Sequence, residues 1–324
     1  MSASTQSRRS RIVRRAVVLA WVSAAWLGPP SSAAPASILI DDQAVFPESL
    51  TATAGGDLII GSSAKGAIYR AGAGAAKAEL WIDPKTSGMV GVFGVFADDR
   101  RHLLYVCSLP FGAPPDKADR LSALRTFDLA SGAAKGDYPL PDGAKALCND
   151  IAVAADGTAY ISETRGGRVL RLKPGGAQLD IWAQDARLAG VDGVAVGGDG
   201  AVYVNTVTTG RMFRIPLARD GSAGALVELR PSLPLGGPDG LRALGGLRFL
   251  QAENVAGRVS EVTVAGDAAD VTPLKTGEPG VTSAVLANGL VWSVNAKFAY
   301  RRDPALKDKD PNPFTVDPIG APTR

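Results

Sequence analysis

Apolar runs and polar turns alternate along this chain in a pattern that recurs six times. Each copy has an apolar run, a turn rich in Gly, Asp or Asn, and a second apolar run; the copies begin at Pro47, Val92, Cys148, Val191, Pro238 and Val281. Two apolar runs that flank a tight turn predict a β-hairpin, and no stretch has a convincing helical period. The pattern therefore predicts an all-β protein.

The spacing of the copies indicates the architecture. When the copies are aligned on the turn, their first positions recur at intervals of 45, 56, 43, 47 and 43 residues. One four-stranded propeller blade takes about 40 to 50 residues. After the third hairpin, residues 168–172 and 178–182 read as two further strands. The repeat thus predicts a six-bladed β-propeller with four-stranded blades over residues 37–303.

The two chain ends complete the last blade in this prediction. We expect its third strand near residues 298–301, and we expect residues 304–324, which are polar and rich in proline, to form a C-terminal tail. Segment 36–41 is the best candidate for the missing fourth strand, which would close the ring and remove the exposed sheet edges. The longer second interval is explained by an insertion at residues 108–122, predicted to form a lip over a pocket.

The second residue of each copy, which we term a ring position, carries the candidate chemistry. Equivalent positions on the innermost strands of a propeller form a ring around one end of the channel. Three carboxylates that converge there would repel unless a cation lies between them. The alternative is that Asp192-Gly193 and Asp239-Gly240 are turns and that the other two polar residues belong to ordinary loops. The ring positions are Glu48, Phe93, Asn149, Asp192, Asp239 and Thr282.

These positions predict a divalent-cation site. All-oxygen ligands suit Ca²⁺, Mg²⁺ or Mn²⁺ better than Zn²⁺, and a wide, irregular channel suits Ca²⁺ best; Zn²⁺ stays an alternative as an added ion. Two cysteines and one histidine exclude a Cys/His zinc site. The predicted metal ligands are Glu48, Asn149, Asp192 and Asp239.

The ends of the second strands should form the wall of a substrate pocket, because those strands return toward the ring. The candidates for substrate contact are Ser108, Glu163, Asn205, Gln251 and Asn295. His102 lies in the hairpin turn of the second copy, at the far end of the channel, so it cannot act there as a base. The dipeptides Asp156-Gly157, Asp199-Gly200 and Asn288-Gly289 are assigned to hairpin turns alone.

The first 36 residues predict a signal peptide. Five arginines precede an apolar stretch that ends near Gly28, and small residues follow with cleavage expected after Ala34 or Ala36. The apolar stretch is too short to span a membrane. The arginines loosely resemble a twin-arginine signal, and a general secretory signal is the alternative. The chain is therefore predicted to be exported to the periplasm or secreted.

Cysteine and charge patterns add two expectations. Cys107 and Cys148 are predicted at the same end of adjacent blades, where they form either a disulfide or two buried free thiols. The formal net charge of +3 includes the arginines of the predicted signal, so the remaining chain is near neutral. Basic and aromatic residues do not cluster, so no nucleic-acid partner is expected. A small molecule is the expected ligand.

The chain resembles the regucalcin/gluconolactonase family of six-bladed propellers over about residues 40–300. The resemblance rests on four motifs in order and in register: Pro47-Glu48-Ser49, Cys148-Asn149-Asp150, Val191-Asp192-Gly193-Val194 and Gly237-Pro238-Asp239-Gly240-Leu241. It implies a catalytic Ca²⁺ or other divalent ion on a Glu, one or two Asn and an Asp, and hydrolysis of lactones or other esters. It also implies that Asp239 is the general base.

The chain departs from this family at Asp192, where the family usually has Asn. A carboxylate there makes the ring formally −3 rather than −2, which favours a divalent cation but lowers its Lewis acidity. The leading hypothesis is a metal-dependent lactone or ester hydrolase. A non-catalytic, exported calcium-binding propeller that binds a ligand or a protein is the competing hypothesis, and a metal-free carbon–nitrogen condensation like that of strictosidine synthase is a third.

Overall fold

Almost every regular element of the protein is a β-strand, as the apolar and polar pattern predicts. The computed structural model describes residues 1–3, 35–111 and 121–322. Within these ranges, two short α-helices, α1 (Pro84–Ser87) and α2 (Ala299–Arg302), and two 3₁₀ helices at Gly143–Lys145 and Ala186–Leu188 interrupt the strands. The strands are β1 (Ile38–Ile40), β2 (Pro47–Ala52), β3 (Leu58–Ser62), β4 (Ile68–Ala71), β5 (Lys77–Ile82), β6 (Gly91–Asp98), β7 (Leu103–Leu109), β8 (Ala123–Asp128), β9 (Ala134–Pro139), β10 (Cys148–Val153), β11 (Ala159–Glu163), β12 (Arg168–Leu172), β13 (Asp180–Gln184), β14 (Val191–Val196), β15 (Val202–Thr206), β16 (Arg211–Ile215), β17 (Val227–Glu228), β18 (Arg230–Pro231), β19 (Pro238–Gly245), β20 (Arg248–Glu253), β21 (Arg258–Ala265), β22 (Ala268–Lys275), β23 (Val281–Ala287), β24 (Leu290–Asn295) and β25 (Thr315–Gly320).

Consecutive strands pair antiparallel and form sheets of four. Strands β6–β9, β10–β13 and β14–β17 are separate sheets, and β19–β22 form another to which β18 adds beside β22. Strands β2–β5 repeat the arrangement at the start of the chain. The prediction of an all-β protein with four-stranded sheets is confirmed.

The chain ends meet in one sheet. Strand β1 pairs antiparallel with β25, with Ile38 opposite Val316, and parallel with β5, with Leu39 opposite Lys77. The N-terminal segment therefore supplies the strand beyond β25, as expected. The expected third strand at 298–301 is wrong, because helix α2 occupies that segment and β25 pairs with β24 instead.

The predicted tail from residue 304 thus contains a core strand. Its prolines conceal this in the sequence, although Phe314 and Val316 are fully buried. Lys297 stabilises the segment 296–314 that connects β24 and β25, since its Nζ donates hydrogen bonds of 2.8 Å to the carbonyls of Pro311 and Pro313. A charged side chain at the start of this segment therefore holds its end beside the sheet.

The first strands of the sheets pack against one another. Strands β2, β6, β10, β14, β19 and β23 are in contact in this order, and β23 also contacts β2. Buried apolar side chains fill the spaces between neighbouring sheets. In one such space Ile59 and Ile68 pack with Val92 and Val95. The starts of the first strands are thereby brought together on one axis of the molecule.

Several smaller predictions can be compared with the structure. Gly157, Gly200 and Gly289 have φ of 95°, 78° and 76°, which confirms the hairpin turns. His102 is an exposed turn residue between β6 and β7, as expected. Cys107 and Cys148 form a disulfide with a Cα–Cα distance of 5.2 Å.

Two predictions concern residues outside the described ranges. Most of the proposed signal peptide and most of the 108–122 insertion lie there. Within the described ranges, no helix has the length and apolar character needed to cross a membrane.

Candidate metal centre

All six ring positions lie at β-bulges near the starts of the first strands. In each hairpin the pairing register shifts across the ring position, for example between Pro47 and Ser49 in β2 and between Val191 and Val194 in β14. The other four first strands shift at the equivalent place. A bulge places an extra residue in one strand and redirects its side chain. At five of the six ring positions the redirected side chain lines one common cavity.

The glycines that follow two ring positions allow close strand packing. A Cβ added at Gly193 would lie 2.3 Å from the carbonyl oxygen of Asp239, and one at Gly240 would lie 2.8 Å from that of Thr282. Neither glycine has positive φ, and both are strand residues. The alternative interpretation of Asp192-Gly193 and Asp239-Gly240 as turns is therefore wrong. Glycine is needed there because adjacent first strands approach closely.

The four predicted ligands line one narrow cavity, here termed the ring cavity, which has no room for a water-sized sphere. Each of the four is 5 % exposed. Phe93 does not line the cavity and instead contacts Phe111 and Phe298, with ring centroids 5.0 and 6.3 Å away. The complete lining is Glu48, Ser49, Asn149, Asp150, Asp192, Asp239, Gly240, Thr282 and Ser283.

Amide groups hold two of the carboxyl groups in place. Asn149 Nδ2 donates to Asp192 Oδ2 at 2.8 Å. Asn254 Nδ2 donates to Asp239 Oδ2 at 2.7 Å, and the Gly240 N–H donates to Asp239 Oδ1 at 3.0 Å. Asp239 is therefore oriented by two donors, whereas Asp192 is held through one oxygen.

Other buried oxygens in the ring cavity have no hydrogen-bond partner among the residues that the structure describes. They are Glu48 Oε2, Asp192 Oδ1, Thr282 Oγ1 and Ser283 Oγ. A buried carboxylate oxygen without a donor is costly, since it loses its hydration without replacement. A cation is the simplest group that would satisfy such oxygens.

The electrostatics of the cavity also favour a bound cation. Burial raises the pKa of Glu48 and of Asp192 well above the ordinary values, and the nearby carboxylate of Asp239 raises both further. Burial also raises the pKa of Asp239 to about 7, against the hydrogen bond from Asn254, which lowers it. Three carboxyl groups that resist ionisation together form a site where a positive charge would be stabilised.

The donor chemistry fits a hard divalent cation, whereas the spacing is not that of a completed site. Carboxylate, amide and hydroxyl oxygens are the ligands that Ca²⁺ and Mg²⁺ prefer. Among the residues that the structure describes, no group of three or more His, Cys, Asp or Glu side chains is arranged to hold a metal ion. Ligand side chains would have to move toward the ion on binding.

The five residues expected to contact substrate do not line the ring cavity. Glu163 is fully buried in an ion pair with Arg168, at 3.0 Å between Oε2 and Nε, and its Oε1 accepts from the Leu147 N–H at 2.8 Å. Glu253 repeats this arrangement with Arg258 and the Gly236 N–H. Both glutamates fasten the chain just before a ring position, which is a structural role.

The other four expected pocket residues lie outside the ring cavity. Asn205 joins two neighbouring strands, accepting from the Gly193 N–H at 2.9 Å and donating to the Asp239 carbonyl at 2.7 Å. Gln251 accepts from Asn205 at 3.4 Å. Ser108 lines a separate surface cavity beside Arg125, and Asn295 donates to the Pro279 carbonyl.

Three features near the ring cavity were not predicted from the sequence: the side chains of Asn254 and Thr164, and the Asp150–Arg242 ion pair. Asn254 and Thr164 support Asp239 and Asn149 by hydrogen bonds of 2.7 and 2.9 Å. Asp150 forms a buried ion pair with Arg242 at 2.7 Å. Asp150 lies next to a ring position in the sequence, so its neighbour Asn149 was a signal, but nothing in the pattern indicated that Arg242 faces inward.

Comparison with known proteins establishes the fold. No protein-family model matches the chain, and no curated protein matches it. A structure of the calcium-binding protein regucalcin from Agrobacterium tumefaciens is similar, with 16% identity, 89% of this chain and 95% of that chain covered, and a TM-score of 0.63. A putative gluconolactonase has 14% identity, coverage of 91% and 96%, and a TM-score of 0.60. Virginiamycin B lyase from Staphylococcus aureus has 13% identity, coverage of 81% and 95%, and a TM-score of 0.56. The chain therefore has a β-propeller fold of the kind found in regucalcin, gluconolactonase and virginiamycin B lyase structures.

Proposed function

We propose that this chain is a divalent-metal-dependent hydrolase of a lactone or related ester. The single observation that carries the proposal is the convergence of three buried carboxyl groups from separate sheets. Two of them have an oxygen without a hydrogen-bond partner in the described part of the chain. Ca²⁺ is the preferred ion because all donors are oxygens and the ring is irregular. The proposed ligands are Glu48, Asn149, Asp192 and Asp239.

The proposal includes a six-bladed ring. The cyclic contacts of the first strands support it, as do the six bulges at equivalent positions. The N-terminal strand β1 would close the ring by completing the last blade, since it pairs with β25 and also contacts β5 of the first. A closed ring matters for function because it fixes where side chains from distant parts of the sequence meet.

Within this site the chain's own residues would bind the ion, orient the carboxylate of Asp239 and accept a proton from water. An ion at the ring would polarise a substrate carbonyl and stabilise the oxyanion that develops. Asp239 would accept the proton from the attacking water, held in position by Asn254 and the Gly240 N–H. Its pKa of about 7 in the cavity would fall beside a cation, so the carboxylate would be ionised at neutral pH and able to act as base.

The structural relatives support an enzyme that acts on a small molecule. Their printed names are a putative gluconolactonase and a lyase, as well as a calcium-binding protein. Because the identities are low, these names support only the general class of hydrolase or lyase propellers. The choice of a lactone or ester rests on the four sequence motifs.

A second candidate function is a calcium-binding propeller without catalysis. The narrowness of the ring cavity favours it, as does the absence of all five expected substrate contacts from its lining. In this case the ion would stabilise the ring, and a ligand or a protein would bind elsewhere. We also propose export, which agrees with the Cys107–Cys148 disulfide because disulfides persist in oxidising compartments.

The test is a metal-dependent activity screen. Purified protein is stripped with EDTA, reloaded with Ca²⁺, Mn²⁺ or Zn²⁺, and assayed against γ- and δ-lactones and aryl esters. We expect turnover that EDTA abolishes and that Asp239→Asn reduces by about 10²-fold or more.

The matched control is Asp270→Asn, which removes an exposed carboxyl group from strand β22 and should leave turnover unchanged. Calcium binding without any turnover would favour the non-catalytic candidate. A protein that shows neither calcium binding nor turnover would refute both candidate functions.

A further inference from the structure

A buried ion pair lies in the channel beyond the ring positions. Arg242 Nη1 is 2.7 Å from both carboxylate oxygens of Asp150, and the two side chains are 7 % and 4 % exposed. Asp150 belongs to β10 and Arg242 to β19, so the pair joins two sheets that are not neighbours in the ring order. Arg242 follows Asp239 by three residues on the same strand, which places it deeper in the channel.

The guanidinium of Arg242 is surrounded by oxygen atoms from four first strands. Besides the two Asp150 oxygens, Nη1 donates to the Leu241 carbonyl at 3.0 Å. Nη2 donates to Ser49 Oγ at 3.0 Å and to the Val95 carbonyl at 3.3 Å. Five oxygens, one carboxylate among them, therefore face a single positive group.

Such a set of oxygens is also what a hard cation takes as ligands. Ca²⁺ accepts six to eight oxygens from carboxylates, hydroxyls, backbone carbonyls and water. Two further hydroxyl groups without partners, those of Thr282 and Ser283, line the neighbouring ring cavity. The guanidinium thus stands where the channel would otherwise present a second group of oxygen ligands.

Asp150 is fully occupied while Arg242 is present. Its Oδ1 accepts from the Ile151 N–H at 2.9 Å, and its Oδ2 accepts from the N–H groups of Val194 and Leu241 at 3.2 and 3.4 Å. Together with the contacts to Arg242, these bonds use the lone pairs of both oxygens. Asp150 is therefore not available to a metal ion, although it lines the ring cavity.

We propose that Arg242 is a built-in cation that occupies the channel and restricts the ring cavity to a single divalent ion. A guanidinium stays protonated at any pH a protein tolerates, so its charge is permanent. The guanidinium repels a second ion and donates hydrogen bonds to the oxygens that this ion would need as ligands. The inference rests on the proposed metal site, since it concerns how many ions that site holds.

The test measures how many Ca²⁺ ions bind per chain. Chelator-stripped wild-type protein and variants are titrated calorimetrically with CaCl₂, and bound metal is counted by elemental analysis after equilibrium dialysis. Arg242→Ala should bind two ions where the wild type binds one, because the alanine removes the positive charge and the guanidinium donors from these oxygens. Arg242→Lys keeps the charge and should bind one, and Asp150→Asn/Arg242→Ala should return to one because the deep carboxylate is lost.

The outcomes separate this inference from the proposed function. Wild-type protein that binds no ion would refute the proposed metal site, yet one ion gained by Arg242→Ala would still support Arg242 as a built-in cation. One ion in both proteins, with the same Kd, would overturn the inference and leave the metal site standing. If Arg242→Ala is unfolded after stripping, Ca²⁺ should restore native circular dichroism, and failure to do so at millimolar Ca²⁺ would also overturn it.

Discussion

Asn149 Nδ2 donates a 2.8 Å hydrogen bond to Oδ2 of Asp192, joining the ring positions of two adjacent sheets. The other oxygen of Asp192, Oδ1, is buried without a partner. Asp192 is thus anchored through one oxygen, and its other oxygen is the one proposed to bind an ion. An asparagine at this position would have an uncharged oxygen in place of a carboxylate.

Asp192→Asn should weaken calcium binding without loss of the fold. Removing one of three converging negative charges lowers the attraction for the ion, and we expect Kd to rise about tenfold, which is about 1.4 kcal/mol. The stripped variant should be at least as stable as the wild type, because a buried carboxyl group whose pKa is raised by burial and by like charges is gone. Calorimetric titration checks the first expectation and thermal melting in EDTA the second. An unchanged Kd would mean that Asp192 is not a ligand.

Calcium should raise the melting temperature of the stripped protein. A ligand that binds only the folded state at 100 times its Kd adds about 2.7 kcal/mol. For a domain of this size that corresponds to a rise of about 4 to 5 °C, and EDTA should reverse it. Glu48→Gln should shrink the rise, while Asp270→Asn should leave it intact. Identical wild-type melting curves with Ca²⁺ and with EDTA would exclude the site.

Stability in EDTA should fall as pH rises from about 4 to 8. The folded-state pKa values of Glu48, Asp192 and Asp239 lie above the ordinary values because of burial, and that of Asp239 is about 7. Their favourable contribution is therefore fully present below the unfolded-state pKa and is lost as pH rises through the folded-state pKa. The loss should amount to a few kcal/mol. Urea unfolding at several pH values measures it.

Saturating Ca²⁺ should weaken or reverse that pH dependence, since the ion stabilises the ionised carboxylates. A stripped protein that gains stability between pH 5 and 8 would contradict the raised pKa values. The triple variant Glu48→Gln/Asp192→Asn/Asp239→Asn is the control, because it removes the three groups and should have a nearly flat profile over this range.

Glu163→Gln should destabilise the protein and leave calcium affinity unchanged. The substitution breaks a buried ion pair with Arg168 and leaves the buried guanidinium with only the exposed carboxylate of Asp142, at a cost of about 3 kcal/mol. Glu253→Gln, which breaks the equivalent pair with Arg258, should behave in the same way. Urea unfolding and calcium titration of both variants distinguish this structural role from the substrate contact that the sequence suggested.

Removing the disulfide should lower stability by about 4 kcal/mol. The bond closes a loop across a sequence separation of 41 residues, and chain-entropy arguments give a penalty of this size for the unfolded state. Cys107→Ser/Cys148→Ser, both at buried positions, should melt earlier than the wild type and still bind Ca²⁺. Equal stability of the oxidised and reduced wild type would show that the bond does not constrain the chain.

The sequence alone determined the class of the fold and the register of the ring positions. Both follow from local physics: alternating apolar residues form strands, Asp-Gly and Asn-Gly form turns, and a recurring hairpin places equivalent residues at equivalent positions. The N-terminal strand could be found because the last copy lacked a fourth strand. The third strand of that copy could not, because Pro311, Pro313 and Pro318 hide the buried Phe314 and Val316.

Tertiary structure decided which of the polar residues face the channel and which fasten the chain. Glu163 and Glu253 end second strands like possible pocket residues, but the arginines five positions later bind them inside the fold. Arg242 resembles a solvated strand residue in the sequence, and only the closing of distant sheets brings it to Asp150, 92 residues earlier. A buried charge pairs with a group that is distant in the sequence, because desolvation makes an unpaired buried charge costly. The local sequence does not indicate which group that is.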